Sequence, residues 1–189
     1  MITVPELASE ALSSFLASDM TRRFGTSHAR LTELVPSYAR LALECIGNSD
    51  ALYHNVEHTM LVTLAGHDIM KGRALLIPTL PSDYAHIIVA CLLHDIGYVR
   101  GLLEGDGPDG YVIDAAGRKA KLPRESSDAA LLPYHASASW MGSFNGAFQN
   151  AITASPIYLS MVPFRATIAL VSGVKNRFIR LVSPPGLSL

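Results

Sequence analysis

Acidic residues vanish from the last third of this 189-residue chain: all sixteen lie at or before Asp128. Charge of either sign is sparse, at 16% of residues, and the net charge is −1. No basic field therefore exists to attract nucleic acid or an anionic membrane. Cysteine is equally rare. Cys45 and Cys91 stand far apart, form no CxxC pair and sit in apolar helix-like runs. They read as reduced core residues of a cytoplasmic protein rather than a disulfide framework. No uninterrupted apolar run is long enough to span a bilayer, because the best stretch, 151–174, is broken by Pro156, Pro163 and Arg165. The first residues carry acids and no basic run, so a signal peptide is not expected. Intrinsic disorder is excluded by 49% hydrophobic residues.

What is present reads as helices. Leu7, Ala8, Ala11, Leu12, Phe15 and Leu16 repeat at i, i+3, i+4 over 5–20, and a similar stripe over 27–46 ends at Gly47. Pro36 lies inside the second stripe, which predicts a kink or a split. Asn48-Ser49-Asp50 offers capping chemistry for a third helix running to Lys71-Gly72, and Pro81-Ser82-Asp83 opens a fourth that continues to Gly97. A glycine-rich loop over 101–110 follows, and 111–122 is compatible with a short β-hairpin. Ser126-Ser127-Asp128 opens a fifth helix reaching about Met141. The expected architecture is one all-α domain of five or more helices over 1–141, followed by an atypical acid-free tail over 142–189.

Two segments carry chemistry. In Tyr53-His54-Asn55-Val56-Glu57-His58-Thr59 the histidines are four apart, which on a helix places them on one face. In Leu92-Leu93-His94-Asp95-Ile96-Gly97-Tyr98 a histidine adjoins an aspartate. Neighbours on a helix point about 100° apart, so both can meet one ion only near a helix end; the glycines that follow supply such an end. His58, His94 and Asp95 form a two-histidine, one-carboxylate set suited to a divalent ion. His54, one turn from His58, is placed to protonate a leaving oxygen. Three other polar features read as bland. Glu57 is a solvated surface residue, His67-Asp68 an exposed polar patch and His86 a core or supporting histidine. Arg118, Lys119, Lys121 and Arg124 read as a solvated basic loop.

These segments resemble the HD-domain superfamily of metal-dependent phosphohydrolases, and the first is similar to the YHNxxH motif of cyclic-nucleotide phosphodiesterases. The resemblance, over about 48–136, implies an HD-type helical fold with one or two divalent ions (Mg, Mn, Fe, Zn, Co or Ni). It implies hydrolysis of a phosphomonoester or phosphodiester of a nucleotide or small metabolite by a metal-bound hydroxide. By position His58, His94 and Asp95 become the metal ligands, while His54, with Asp95 a catalytic residue, takes the general-acid or phosphate-contacting role. It also implies a last aspartate ligand on a later helix, for which this chain offers only Asp128 or His135 as stand-ins. A shifted reading frame or a divergent terminus would account at once for the lost acids, the lost periodicity and the missing aspartate. Two rival readings remain open: an HD-fold non-haem iron oxygenase, and a degenerate non-catalytic module that binds a metal or a nucleotide.

Overall fold

A computed structural model of the chain describes residues 2–114, 116–123 and 125–134. The described residues form four helices, α1 (Val4–Phe24), α2 (Ala29–Gly47), α3 (Val56–Ala74) and α4 (Pro81–Leu93), with a 3₁₀ turn at Thr26–His28 between α1 and α2 and two more, Ile96–Tyr98 and Asp128–Leu131, after α4. The short strands β1 (Tyr111–Val112) and β2 (Lys119–Ala120) pair antiparallel, with Tyr111 opposite Ala120. The described residues are thus mostly helical with a small hairpin, which lies within the expected 111–122. The expected fifth helix begins only as the 3₁₀ turn at Asp128–Leu131. Its continuation to Met141, His135, Arg124 and the tail over 142–189 lie outside the described residues.

Local chemistry explains most helix boundaries. A capping box starts α1: the Thr3 side chain accepts from the Glu6 amide, and the Glu6 carboxylate accepts from the Thr3 amide. The helix runs past Met20 to Phe24 and stops at Gly25, whose φ of 70° suits glycine. Of the expected kink or split at Pro36, the split does not occur: α2 is continuous through it. The third helix starts six residues later than Asp50: Asn55, not Asn48-Ser49-Asp50, is its cap, and the Asn55 Oδ1 accepts from the His58 amide at 3.0 Å. The fourth ends at Leu93 rather than Gly97, with Asp95 at φ −109° and ψ 6°, the bridge conformation between helix and turn.

The core is centred on α4, which packs against both α2 and α3, while α1 packs on α2. Ala85, Ile88, Val89, Ala90, Leu92 and Leu93 of α4 are buried with Leu12, Leu16 and Met20 of α1 and Val35, Ala39, Leu43 and Ile46 of α2. Each large aliphatic side chain in this set contributes about 1.5–3 kcal/mol of burial. Between α3 and α4 the contact is very close. A Cβ built on Gly66 would lie 2.6 Å from the Cys91 Sγ, so any larger residue here would force the Cys91 side chain or the two helices to shift. Both cysteines are free thiols, and burial pushes the Cys91 thiol up to about 12. Cys91 therefore behaves as a small core residue, as the sequence suggested.

Candidate metal centre

Two loops and two helices bring the singled-out residues together. His58 lies in the first turn of α3, and His54 stands just before the Asn55 cap. The expected single helical face for both histidines does not form, because Asn55 closes the helix between them. Their rings nonetheless meet at Asp95, on a 52–55 loop shaped by Asn55, whose Nδ2 donates to the Leu52 carbonyl and whose Oδ1 takes the His58 amide. His94 is the C-cap of α4, and Asp95 starts the following turn. The helix end that adjacent ligands require is therefore present, with α4 closing at Leu93, four residues ahead of Gly97.

Three ring nitrogens surround one carboxylate oxygen. His54 Nδ1, His94 Nε2 and His58 Nε2 lie 2.6, 2.9 and 3.1 Å from Asp95 Oδ2, whose side chain is 1% exposed. His58 Nε2 and His94 Nε2 are 3.2 Å apart. Two imidazole lone pairs cannot face each other at that distance without a proton or a cation between them. The Nδ1 of His94 lies 2.6 Å from the Cys91 carbonyl, which can only accept, so Nδ1 donates there. In a neutral ring the lone pair then sits on Nε2, turned toward the centre, as is usual for histidine ligands oriented by an outer partner. Burial pushes the Asp95 carboxyl up, yet hydrogen bonding from the surrounding imidazoles, His54 first, outweighs it and holds the group below the usual carboxylate range.

The other oxygen tests whether an ion fits. Asp95 Oδ1 is buried and has no hydrogen-bond partner among the described residues, an arrangement that costs about 1–3 kcal/mol unless something meets it. His54, His58 and Asp95 each present a donor atom, all within 4.8 Å of one another, a grouping able to hold a metal ion. A buried anionic oxygen lacking a donor, beside convergent imidazoles, fits a divalent cation. Aromatic neighbours fix the rings: Tyr98 stacks on His54 at 4.0 Å, and the exposed Tyr53 ring lies 4.6 Å from His58.

The remaining residues fall elsewhere. Glu57 is exposed, as expected. His86 is half-buried, and burial lowers its pKa. His67 corrects the reading of an exposed His67-Asp68 patch. It is 5% exposed, 2.9 Å from the Tyr84 hydroxyl, and part of a buried cluster in which Arg22, Arg23 and the Tyr84 hydroxyl donate to Asp19. Only Asp68 is solvated. Asp128, one of two proposed stand-in ligands, does not join the centre. Its carboxylate takes Arg100 and the Asp50 amide instead. Arg118, Lys119 and Lys121 are exposed on the hairpin, with Arg118 paired to Asp114. Sequence reasoning passed over Asn55 as the cap, Tyr98 as the stacking partner and Arg100. Asn55 was findable, since an Asn three residues before a helical amide is a capping signature.

Among the described residues no helix is long and apolar enough to cross a membrane. The sequence profile of a family described as Npun_R2479-like matches residues 2–144. No curated protein and no solved structure matches the chain.

Proposed function

The chain belongs to the Npun_R2479-like family, and within it we propose that this protein is a divalent-metal-dependent phosphohydrolase of the HD type. The observation that carries this reading is the gathering of His54, His58 and His94 around Asp95 Oδ2, with Oδ1 left without a donor. His58, His94 and Asp95 would hold the ion. A set rich in imidazole suits Mn, Fe, Co, Ni or Zn better than Mg, which prefers an all-oxygen shell. When bound, such an ion polarises a phosphoryl oxygen and makes water nucleophilic at neutral pH.

The chain's own groups do the rest. His94 is oriented by the Cys91 carbonyl and so keeps its Nε2 on the centre. His54 is held through Nδ1 by Asp95 and from the side by Tyr98, and it serves as the acid that hands a proton to the leaving oxygen. Tyr53 stands exposed at the rim, where a substrate enters. The substrate is a phosphate ester of a nucleotide or another small metabolite.

The test is metal analysis of purified protein together with a panel of phosphomonoesters and phosphodiesters in anaerobic buffer. Bound transition metal near one ion per chain, with phosphate released without oxygen, is the expected result. Oxygen uptake with bound iron would replace this reading with an oxygenase. Nucleotide binding without turnover would replace it with a non-catalytic module.

A further inference from the structure

Besides the centre itself, the described residues contain one other polar cluster that spans distant segments beside it. Asp128 is 3% exposed. Its Oδ1 accepts from Arg100 Nε, and its Oδ2 accepts from the Asp50 amide at 3.3 Å. The Asp128 amide donates back to Asp50 Oδ1 at 2.5 Å. Arg100 Nη2 reaches Asp50 Oδ2 at 3.3 Å, and Nη1 donates to the Ser126 carbonyl at 3.2 Å. One guanidinium fork thus bridges two carboxylates and a backbone carbonyl, a geometry that lysine could not copy.

The segments joined in this way are those that carry the centre. Asp50 lies four residues before His54, and Arg100 five residues after Asp95. Neither loop has a helix to hold it: 50–55 precedes α3, and 99–100 follows the 3₁₀ turn. Asp128 comes from a third segment, 78 positions from Asp50. A buried ion pair is weak support for stability, because desolvation offsets its attraction, whereas its directed bonds fix geometry well.

We propose that Asp128 is a positioning residue of the metal centre, which with Arg100 and Asp50 clamps the His54 loop to the His94-Asp95 loop. The inference rests on the metal-centre reading above. It also gives the last acid of the chain a role distinct from the ligand role expected of it: it sets the spacing of the donors without touching the ion.

Full-length protein, Asp128→Asn and Asp50→Asn are titrated with Co²⁺, reading affinity and the visible d–d spectrum, with circular dichroism as the check on folding. Both variants should bind Co²⁺ ~10-fold more weakly, the lower end of the range for groups that orient ligands from outside, and should shift the d–d bands. A merely structural role would lower the melting temperature and leave the affinity and spectrum of the folded protein unchanged. Should Asp128→Asn not fold, Asp50→Asn decides, since its side chain is largely exposed. Wild-type affinity and bands in a folded variant overturn the clamp. Wild-type protein that takes up no Co²⁺ overturns the metal centre itself, and the clamp with it.

Discussion

Replacing Gly66 with alanine tests the packing on which the centre is built. Two effects compete. Alanine is favoured over glycine in a helix by about 1 kcal/mol. Against this, the new methyl would sit 2.6 Å from the Cys91 Sγ, far inside contact distance, with Ile87 Cγ2 at 3.5 Å. Overpacking of that kind costs about 1–3 kcal/mol, so Gly66→Ala should lose about 1 kcal/mol net in urea unfolding. Cys91→Ala removes the clashing sulfur and leaves the Cys91 Cβ at an ordinary 3.7 Å. In that background Gly66→Ala should stabilise by up to about 1 kcal/mol. The cycle then shows a coupling of about 2 kcal/mol. Additivity within about 0.5 kcal/mol would mean that α3 and α4 are not so close, and would refute the reasoning. The same wedge should weaken metal binding, because His58 lies two turns before Gly66, and Cys91 both meets the wedge and orients His94 through its carbonyl.

Asp95→Asn should abolish metal binding, since it removes the anionic donor on which three imidazoles converge; retained metal by elemental analysis would contradict the centre. His54→Ala should keep the metal and slow phosphate release by ~10²-fold or more, and loss of metal in this variant would make His54 a ligand instead. Asn55→Ala removes the cap on the His58 amide and should cost about 1 kcal/mol in unfolding free energy, with weaker metal uptake alongside. For His67, burial lowers the pKa below 6.5, partly opposed by Asp19. The unfolded chain therefore takes up the proton first, and His67's contribution to stability is present above pH 6.5 and lost as the pH falls below it. His67→Gln should make the acid limb of a stability–pH curve shallower, and an unchanged limb would contradict the buried neutral imidazole.

Apolar spacing made α1 and α2 readable, since each buries small and aliphatic residues in the core, whereas α3 and α4 were announced by the polar residues ahead of α3 and the Pro81-Ser82-Asp83 run that opens α4. Their ends were read less well because several capping residues compete locally. Asn48, Ser49 and Asp50 all have capping side chains, but Asp50 is drawn into the contact with Asp128 and Arg100, which leaves Asn55 to start α3. The two segments that carry His54, His58, His94 and Asp95 were legible as motifs, and their resemblance to HD-domain proteins suggested that they meet. Their mutual geometry was not, because a bridge-region Asp95 and a histidine outside the helix are set by tertiary contacts. His67 misled for a similar reason. Its neighbour Asp68 is solvated, while His67 turns inward to Tyr84 and Asp19, partners 17 residues downstream and far back on α1. No local pattern encodes that choice.

The clamp joining Asp50, Arg100 and Asp128 also sets how this protein breathes. Its bonds connect loops and a four-residue 3₁₀ turn, with no helix or sheet ladder behind them. Such a segment opens by sub-global fluctuation while the α4 core stays closed. The amides of Asp50 and Asp128 are each tied down by the other residue's carboxylate, so neither can reach solvent alone. In native-state hydrogen exchange they should exchange as one unit, with a common opening free energy, and well ahead of the amides of Ile88 and Leu92.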